Sequence, residues 1–150
     1  MNLTQEPEYI HWPETYYVFV EKVGPFMQNA PAAWEEAHKL APALLAHNRI
    51  TGYTSLYKMN TSTYRAGFVL EAPPSELPAG LAYEFFEGGR YARFVLTGPY
   101  SQLGPDTGRV QEMVKEQGIT VRDGWYIENY VNDPRTTPEA ELKTEICVQA

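Results

Sequence analysis

Three residues at alternate positions, Tyr126, Glu128 and Tyr130, have types and a spacing that could do chemistry. Alternate side chains of a strand point to one face, so a strand at Trp125 to Val131 would set a carboxylate between two phenols. Under cover, a carboxylate among aromatic rings suits an organic cation or a polarised aromatic ligand. On an open sheet the same pattern is merely the wet side of a half-exposed strand. A second carboxylate, Glu145, falls in the run Leu142 to Val148. There Ile146 and Val148 should face a helix and leave Glu145 and Cys147 on the other side. If Ile127 also faces the helix, Glu128 and Glu145 share a face. Desolvation and mutual repulsion would then raise at least one pKa, supplying an acid and a base for adding water to a strained electrophile. A salt bridge from Glu145 to Arg93 or Lys143 is the competing, structural reading. The same parity leaves Tyr91, Arg93 and Val95 opposite the core residues Ala92, Phe94 and Leu96. In the first half it offers Tyr17 and Phe19. Trp125 sits at the strand edge, where a pocket rim would lie.

Other chemistries find no support. His11, His38 and His47 show no metal-ligand spacing with one another or with Cys147, so no metal is expected. Gly88-Gly89 precedes a strand rather than a helix, which makes it a turn and not a phosphate cradle. Ser and Cys nucleophile motifs are absent, and no cofactor is expected.

Composition narrows the class further. Eleven Tyr, six Phe and three Trp in 150 residues exceed what a core needs, and phenols suit half-wet pockets. A formal net charge of -7 argues against binding a phosphate backbone. Cys147 is the single cysteine, which excludes an intrachain disulfide and suits a reducing compartment. No apolar run approaches a membrane span, and the polar stretch Met1 to Glu8 has no signal-peptide core. The expectation is a cytoplasmic protein that touches neither membrane nor nucleic acid.

The elements that must position these residues come twice. Gly24-Pro25-Phe26 and Gly98-Pro99-Tyr100 are 74 positions apart, and Gln28/Gln102 and Pro31/Pro105 keep that offset. This reads as an internal duplication. Repeat 1 covers about 8–71, a Pro-rich linker about 72–80, and repeat 2 about 81–150. In the first repeat, strands Tyr9 to Trp12 and Tyr16 to Val23 form a hairpin through Pro13-Glu14-Thr15. In the second, Ala82 to Phe86 and Tyr91 to Thr97 do so through Glu87-Gly88-Gly89. A helix follows in each. One has Pro31 in its first turn, and Pro42 is expected to kink or interrupt it. The other begins near Pro105, with Asp106 in its first turn, buries Val110, Met113 and Val114, and is capped by Gly118. Each half closes with paired strands, Ile50 to Met59 with Tyr64 to Glu71, and Gly124 to Val131 with Leu142 to Val148. The predicted class is α+β: two pseudo-twofold-related ββαββ modules, each an antiparallel sheet with a helix on one face, and a ligand groove between the halves.

This order of elements, together with Ile127-Glu128-Asn129-Tyr130-Val131-Asn132-Asp133-Pro134, Thr136-Thr137-Pro138-Glu139 and Leu142-Lys143-Thr144-Glu145-Ile146, resembles the GyrI-like small-molecule-binding domain. That is also the effector-binding domain of multidrug-responsive regulators of the AraC and MerR types. Gly88-Gly89-Arg90-Tyr91-Ala92 and Gly98-Pro99-Tyr100 resemble the family's second-half opening. The resemblance implies a pocket in which an acidic residue at the position of Glu128, with Tyr130 beside it, meets cationic or aromatic drugs. Glu145 matches a recurrent acidic position in the last strand. Resemblance and strand position together give the expected ligand set: Glu128, Tyr130, Tyr126, Glu145, Tyr91, Phe19, Tyr17 and Trp125. The regulators carry a fused helix-turn-helix unit for which this chain has no room, so direct DNA binding is not expected. The first expectation is a stand-alone binder that senses or sequesters a small aromatic or cationic ligand. The second is a hydrolase of reactive cyclopropane-bearing genotoxins, with Glu128 as its catalytic residue. The third is a module that modulates DNA gyrase by binding a topoisomerase.

Overall fold

A computed structural model describes residues 2–122 and 124–150. Met1, which opens the polar N-terminal stretch, lies outside them. The fold is α+β, with eight strands and two helices: β1 (Glu8–Trp12), β2 (Thr15–Val23), α1 (Phe26–Leu45), β3 (Ile50–Lys58), β4 (Thr63–Leu70), β5 (Ala82–Phe86), β6 (Gly89–Thr97), α2 (Leu103–Glu116), β7 (Tyr126–Tyr130) and β8 (Lys143–Gln149). Short 3-10 turns precede α2 at Tyr100–Gln102 and β8 at Glu139–Glu141. No described helix is long and apolar enough to cross a membrane.

The chain divides into two compact units, Met1–Trp12 with Arg90–Ala150, and Pro13–Gly89. The first has strand order β1-β6-β8-β7, and the second β3-β4-β2-β5. Neither predicted hairpin forms. β1 bonds to β6, while β5 pairs antiparallel with β2, Thr15 opposite Phe86 and Phe19 opposite Ala82. Gly88 and Gly89 have the positive φ that the turn signal requires, +74° and +134°. A turn residue says that the chain bends, but not which strand it then lies beside. The closing pairs β3–β4 and β7–β8 are antiparallel, as their patterns predict.

In the first unit α2 buries Val110, Met113 and Val114 against Phe94 and Leu96 of β6 and Ile146 and Val148 of β8. Leu3 joins this core through a bridge to Leu96. Each such side chain contributes about 1.5–3 kcal/mol on leaving water. α2 ends where predicted. Gly118 takes φ +66°, its N–H donates to Lys115 O, and the Ile119 N–H donates to Val114 O. These two bonds make a Schellman cap, with Ile119 packed on the core. In the second unit α1 starts at Phe26, earlier than predicted, because Gly24-Pro25 turns the chain into it. The helix then runs through both Pro31 and Pro42, so the expected interruption does not occur. Packing of Ala33, Ala37 and Leu44 outweighs the roughly 3 kcal/mol by which an interior proline disfavours a helix.

Candidate functional site

β7 places the residues first singled out. Glu128 lies opposite Ile146, and Tyr130 opposite Thr144. Directly opposed residues of an antiparallel pair share a face, and Ile146 packs under α2. Glu128 and Tyr130 therefore lie on the α2 face, as does Tyr126, which packs against the same core. Here the predicted parity is corrected. Ile127 lies opposite Cys147, on the face turned away from α2. The prediction failed because Ile127 and Cys147 are fully buried on the face away from the helix. An apolar residue marks a buried face, but cannot say which buried face carries the helix.

Glu128 is 9% exposed. Tyr130 Oη donates to its Oε1 at 3.1 Å, and Thr107 Oγ1, from the first half of α2, donates to its Oε2 at 3.4 Å. The ring of Tyr100 meets that of Tyr130 edge-on, with centroids 5.5 Å apart and planes at 69°. Tyr126, Tyr130 and Tyr100 are half-buried. Burial, and secondarily the charge of Asp133, raises the Tyr100 pKa, so its hydroxyl stays a neutral donor. Thr144, opposite Tyr130, is 0% exposed, and its Oγ1 has no hydrogen-bond partner among the described residues.

Glu145 belongs elsewhere. It lies opposite Val95 and Asn129, on the face away from α2. Arg93 Nη1 donates to it at 2.9 Å and Asn129 Nδ2 at 2.8 Å, while Arg93 Nη2 reaches Glu8 of β1 at 3.0 Å. Desolvation works against the Arg93 guanidinium, but the hydrogen bonds and charges of Glu8 and Glu145 outweigh it and raise its pKa. The two carboxylates thus stand on opposite faces, and the acid–base pair that a shared face would have given is not formed. Tyr91 shares the Glu145 side of the sheet and is buried; burial, then the neighbouring Cys147, pushes its phenol up. Trp125, half-buried, precedes β7.

Tyr17 and Phe19 belong to the other unit. Their rings stack at 5.3 Å, Tyr17 Oη donates to Thr54 O at 2.8 Å, and the Arg65 guanidinium lies 4.1 Å over Phe19. They lie opposite Val69 and Gly67, a face away from α1. Within the first unit the structure therefore groups Tyr126, Glu128 and Tyr130 on one face and places Glu145 and Tyr91 on the other. Sequence reasoning missed Tyr100, Thr107 and Thr144 as members of that group. Tyr100 was visible in the repeated Gly-Pro-aromatic segment, but nothing in the sequence marked Thr107 or Thr144. Among the described residues no His, Cys, Asp and Glu cluster could hold a metal ion.

Residues 5–150 match the GyrI-like small molecule binding domain, and the chain belongs to that family. No curated protein matches it in sequence. Among solved structures, the C-terminal domain of EcmrR is 14% identical with a TM-score of 0.77, over 99% of this chain and 98% of that one. Against EcmrR in its complex with DNA, at 12% identity and a TM-score of 0.75, the match takes 99% of this chain but spans only 57% of the regulator's length. SAV2435, solved bound to tetraphenylphosphonium, is 12% identical with a TM-score of 0.66, over 97% of this chain and 94% of that one. A hydrolase from Listeria innocua is 14% identical with a TM-score of 0.56, over 97% and 91%.

Proposed function

We propose that the protein binds small aromatic cations at the α2 face of the first unit, with Glu128 supplying the opposing charge. One observation carries this reading. Glu128 is almost fully buried, and hydroxyls of Tyr130 and Thr107 hold its carboxylate among aromatic rings. Neutral hydroxyls orient a carboxylate without cancelling its charge, and a charge in low dielectric favours a cation over water. The rings of Tyr126, Tyr130 and Tyr100 add apolar contact and negative π-faces. Tetraphenylphosphonium, the cation held by SAV2435, is the first probe to use. It should raise the melting temperature of the full chain in a concentration-dependent way, and Glu128→Gln should abolish most of that shift. An unchanged shift in the Gln variant would refute the role of the carboxylate.

Hydrolysis of a strained electrophile is the second reading. It is favoured by the Tyr130 hydroxyl on Glu128, which would let Tyr130 polarise the substrate while Glu128 takes a proton from the attacking water. Mass detection of a hydrated product with turnover separates it from stoichiometric binding. The broader roles, as a regulator's sensor, a sequestering protein or a topoisomerase partner, are tested by whether ligand occupancy alters any such complex.

A further inference from the structure

The two units carry the same arrangement of side chains on their helix faces, and the differences between them describe the ligand. In the second unit, β3 presents Tyr53, Ser55 and Tyr57 on the face that also bears Tyr64 and Phe68 of β4. In the first, β7 presents Tyr126, Glu128 and Tyr130. The three pairs are 73 positions apart. Phe26 meets Tyr57 edge-on at 5.6 Å and 65°, much as Tyr100 meets Tyr130 at 5.5 Å and 69°. From the helices, Trp34 and Thr107 reach the matching strand residues, although they stand one position off the 74-residue offset that relates Phe26 to Tyr100 and Pro31 to Pro105.

Their contacts correspond as well. Trp34 Nε1 donates to Ser55 Oγ at 3.0 Å, as Thr107 Oγ1 donates to Glu128 Oε2. The indole N–H also reaches Tyr64 Oη at 3.0 Å, and that hydroxyl is 2.7 Å from Ser55 Oγ. Tyr64 lies opposite Tyr57, and its counterpart opposite Tyr130 is Thr144. In the second unit, then, one aromatic N–H reaches both the strand residue Ser55 and the diagonal hydroxyl of Tyr64 on the next strand. In the first unit the helix offers only a short threonine, and the fully buried Thr144 hydroxyl has no partner among the described residues. A buried hydroxyl left unmatched is costly, which marks it as a group that some further molecule satisfies.

We infer that the ligand of the Glu128 site is a flat aromatic compound carrying an N–H on its ring edge, which sits as the Trp34 indole sits in the other unit. This rests on the reading of Glu128 as a ligand carboxylate and narrows it from cations in general to N–H donors. The N–H bridges the Glu128 carboxylate and the Thr144 hydroxyl, and the ring fills the space beside Thr107. A positive charge on the ring system adds affinity but is not what positions it.

Two permanently cationic probes isolate the N–H. 2-Methyl-β-carbolinium keeps the indole N–H, and 2,9-dimethyl-β-carbolinium replaces it with N–CH3 at the same charge. Calorimetry on the full chain should show about tenfold tighter binding of the first, a ratio typical of losing one buried hydrogen bond. Thr144→Val should shrink that ratio to within about threefold. Thr107→Trp should supply the indole internally and abolish binding of both probes without lowering the melting temperature. Equal affinity of the two probes for the unaltered protein would overturn the inference, and would do so whether or not the tryptophan variant folds. If tetraphenylphosphonium still binds in a Glu128-dependent manner while the carbolinium pair binds equally, the cation reading stands and the N–H requirement falls. If none of the three cations binds, both fall.

Discussion

Thr144 shows how a single atom separates stability from function. Its hydroxyl is buried without a hydrogen-bond partner among the described residues, whereas a valine of the same shape has nothing to satisfy. Thr144→Val is therefore expected to stabilise the unliganded protein by about 1 kcal/mol, read as a higher urea midpoint at unchanged slope. A loss of stability would mean that the hydroxyl is satisfied after all. Glu128→Gln keeps the acceptor oxygen for Tyr130 but removes the charge, so it should change folding little while weakening cation binding by at least about tenfold. The shared face of Tyr126, Glu128 and Tyr130 was legible from strand period alone. The surroundings of Glu128 were not, because Thr107 reaches it from a helix and Thr144 from a neighbouring strand, and one-dimensional spacing cannot bring those together.

At the level of elements, existence and type followed from periodicity, whereas pairing and facing did not. Every predicted strand and helix has an observed counterpart, and α2 even ends on the predicted glycine. The hairpins failed because turn chemistry is local and strand partnership is not. The face of β7 was misread because Ile127 is buried on the side away from the helix, so an apolar residue does not mark which face the helix covers. Two glycine substitutions test the elements themselves. At Gly67 a Cβ would come within 2.6 Å of both the Tyr17 ring and Val18 O, so Gly67→Ala should cost about 3 kcal/mol or more and displace Tyr17. At Gly118 a Cβ would meet nothing within 4 Å, and only the left-handed φ of +66° resists. Gly118→Ala should cost about 1 kcal/mol. Chemical denaturation of the two variants should rank them in that order.

Across the whole molecule, three buried acids shape the response to alkali. Desolvation raises the pKa of Cys147, further supported by Glu145 and opposed by Arg93. Desolvation likewise raises those of Tyr91 and Tyr17, whose ordinary value is 10.0. All three stay protonated in the native state, while the unfolded chain ionises near the ordinary thiol and phenol values. Their contribution is fully present below about pH 9 and is lost as pH rises through the raised native values. Stability should hold at neutral pH and decline steadily above about pH 9, and Cys147 should resist thiol reagents until the protein unfolds. Rapid labelling of the thiol at pH 8 in the folded protein would contradict its burial.

The division of the chain into units adds a prediction at the same scale. β1 lies in the unit formed by Arg90–Ala150, where Glu8 meets Arg93 and Leu3 enters the core. Deleting residues 2–12 should therefore destabilise the distant C-terminal part and leave Pro13–Gly89 the more protected in hydrogen exchange.

That borrowed strand also bears on the order of events during synthesis. Within the segment 13–89, β2 pairs with both β4 and β5, and these pairings can form once residue 89 has emerged. The segment made before it, residues 1–12, must wait for β6, almost eighty positions later, and for the core beneath Leu3 until β8 is made. A nascent chain would thus close its middle first and seat its earlier-made strand last, which leaves β1 the segment most in need of shielding on the ribosome.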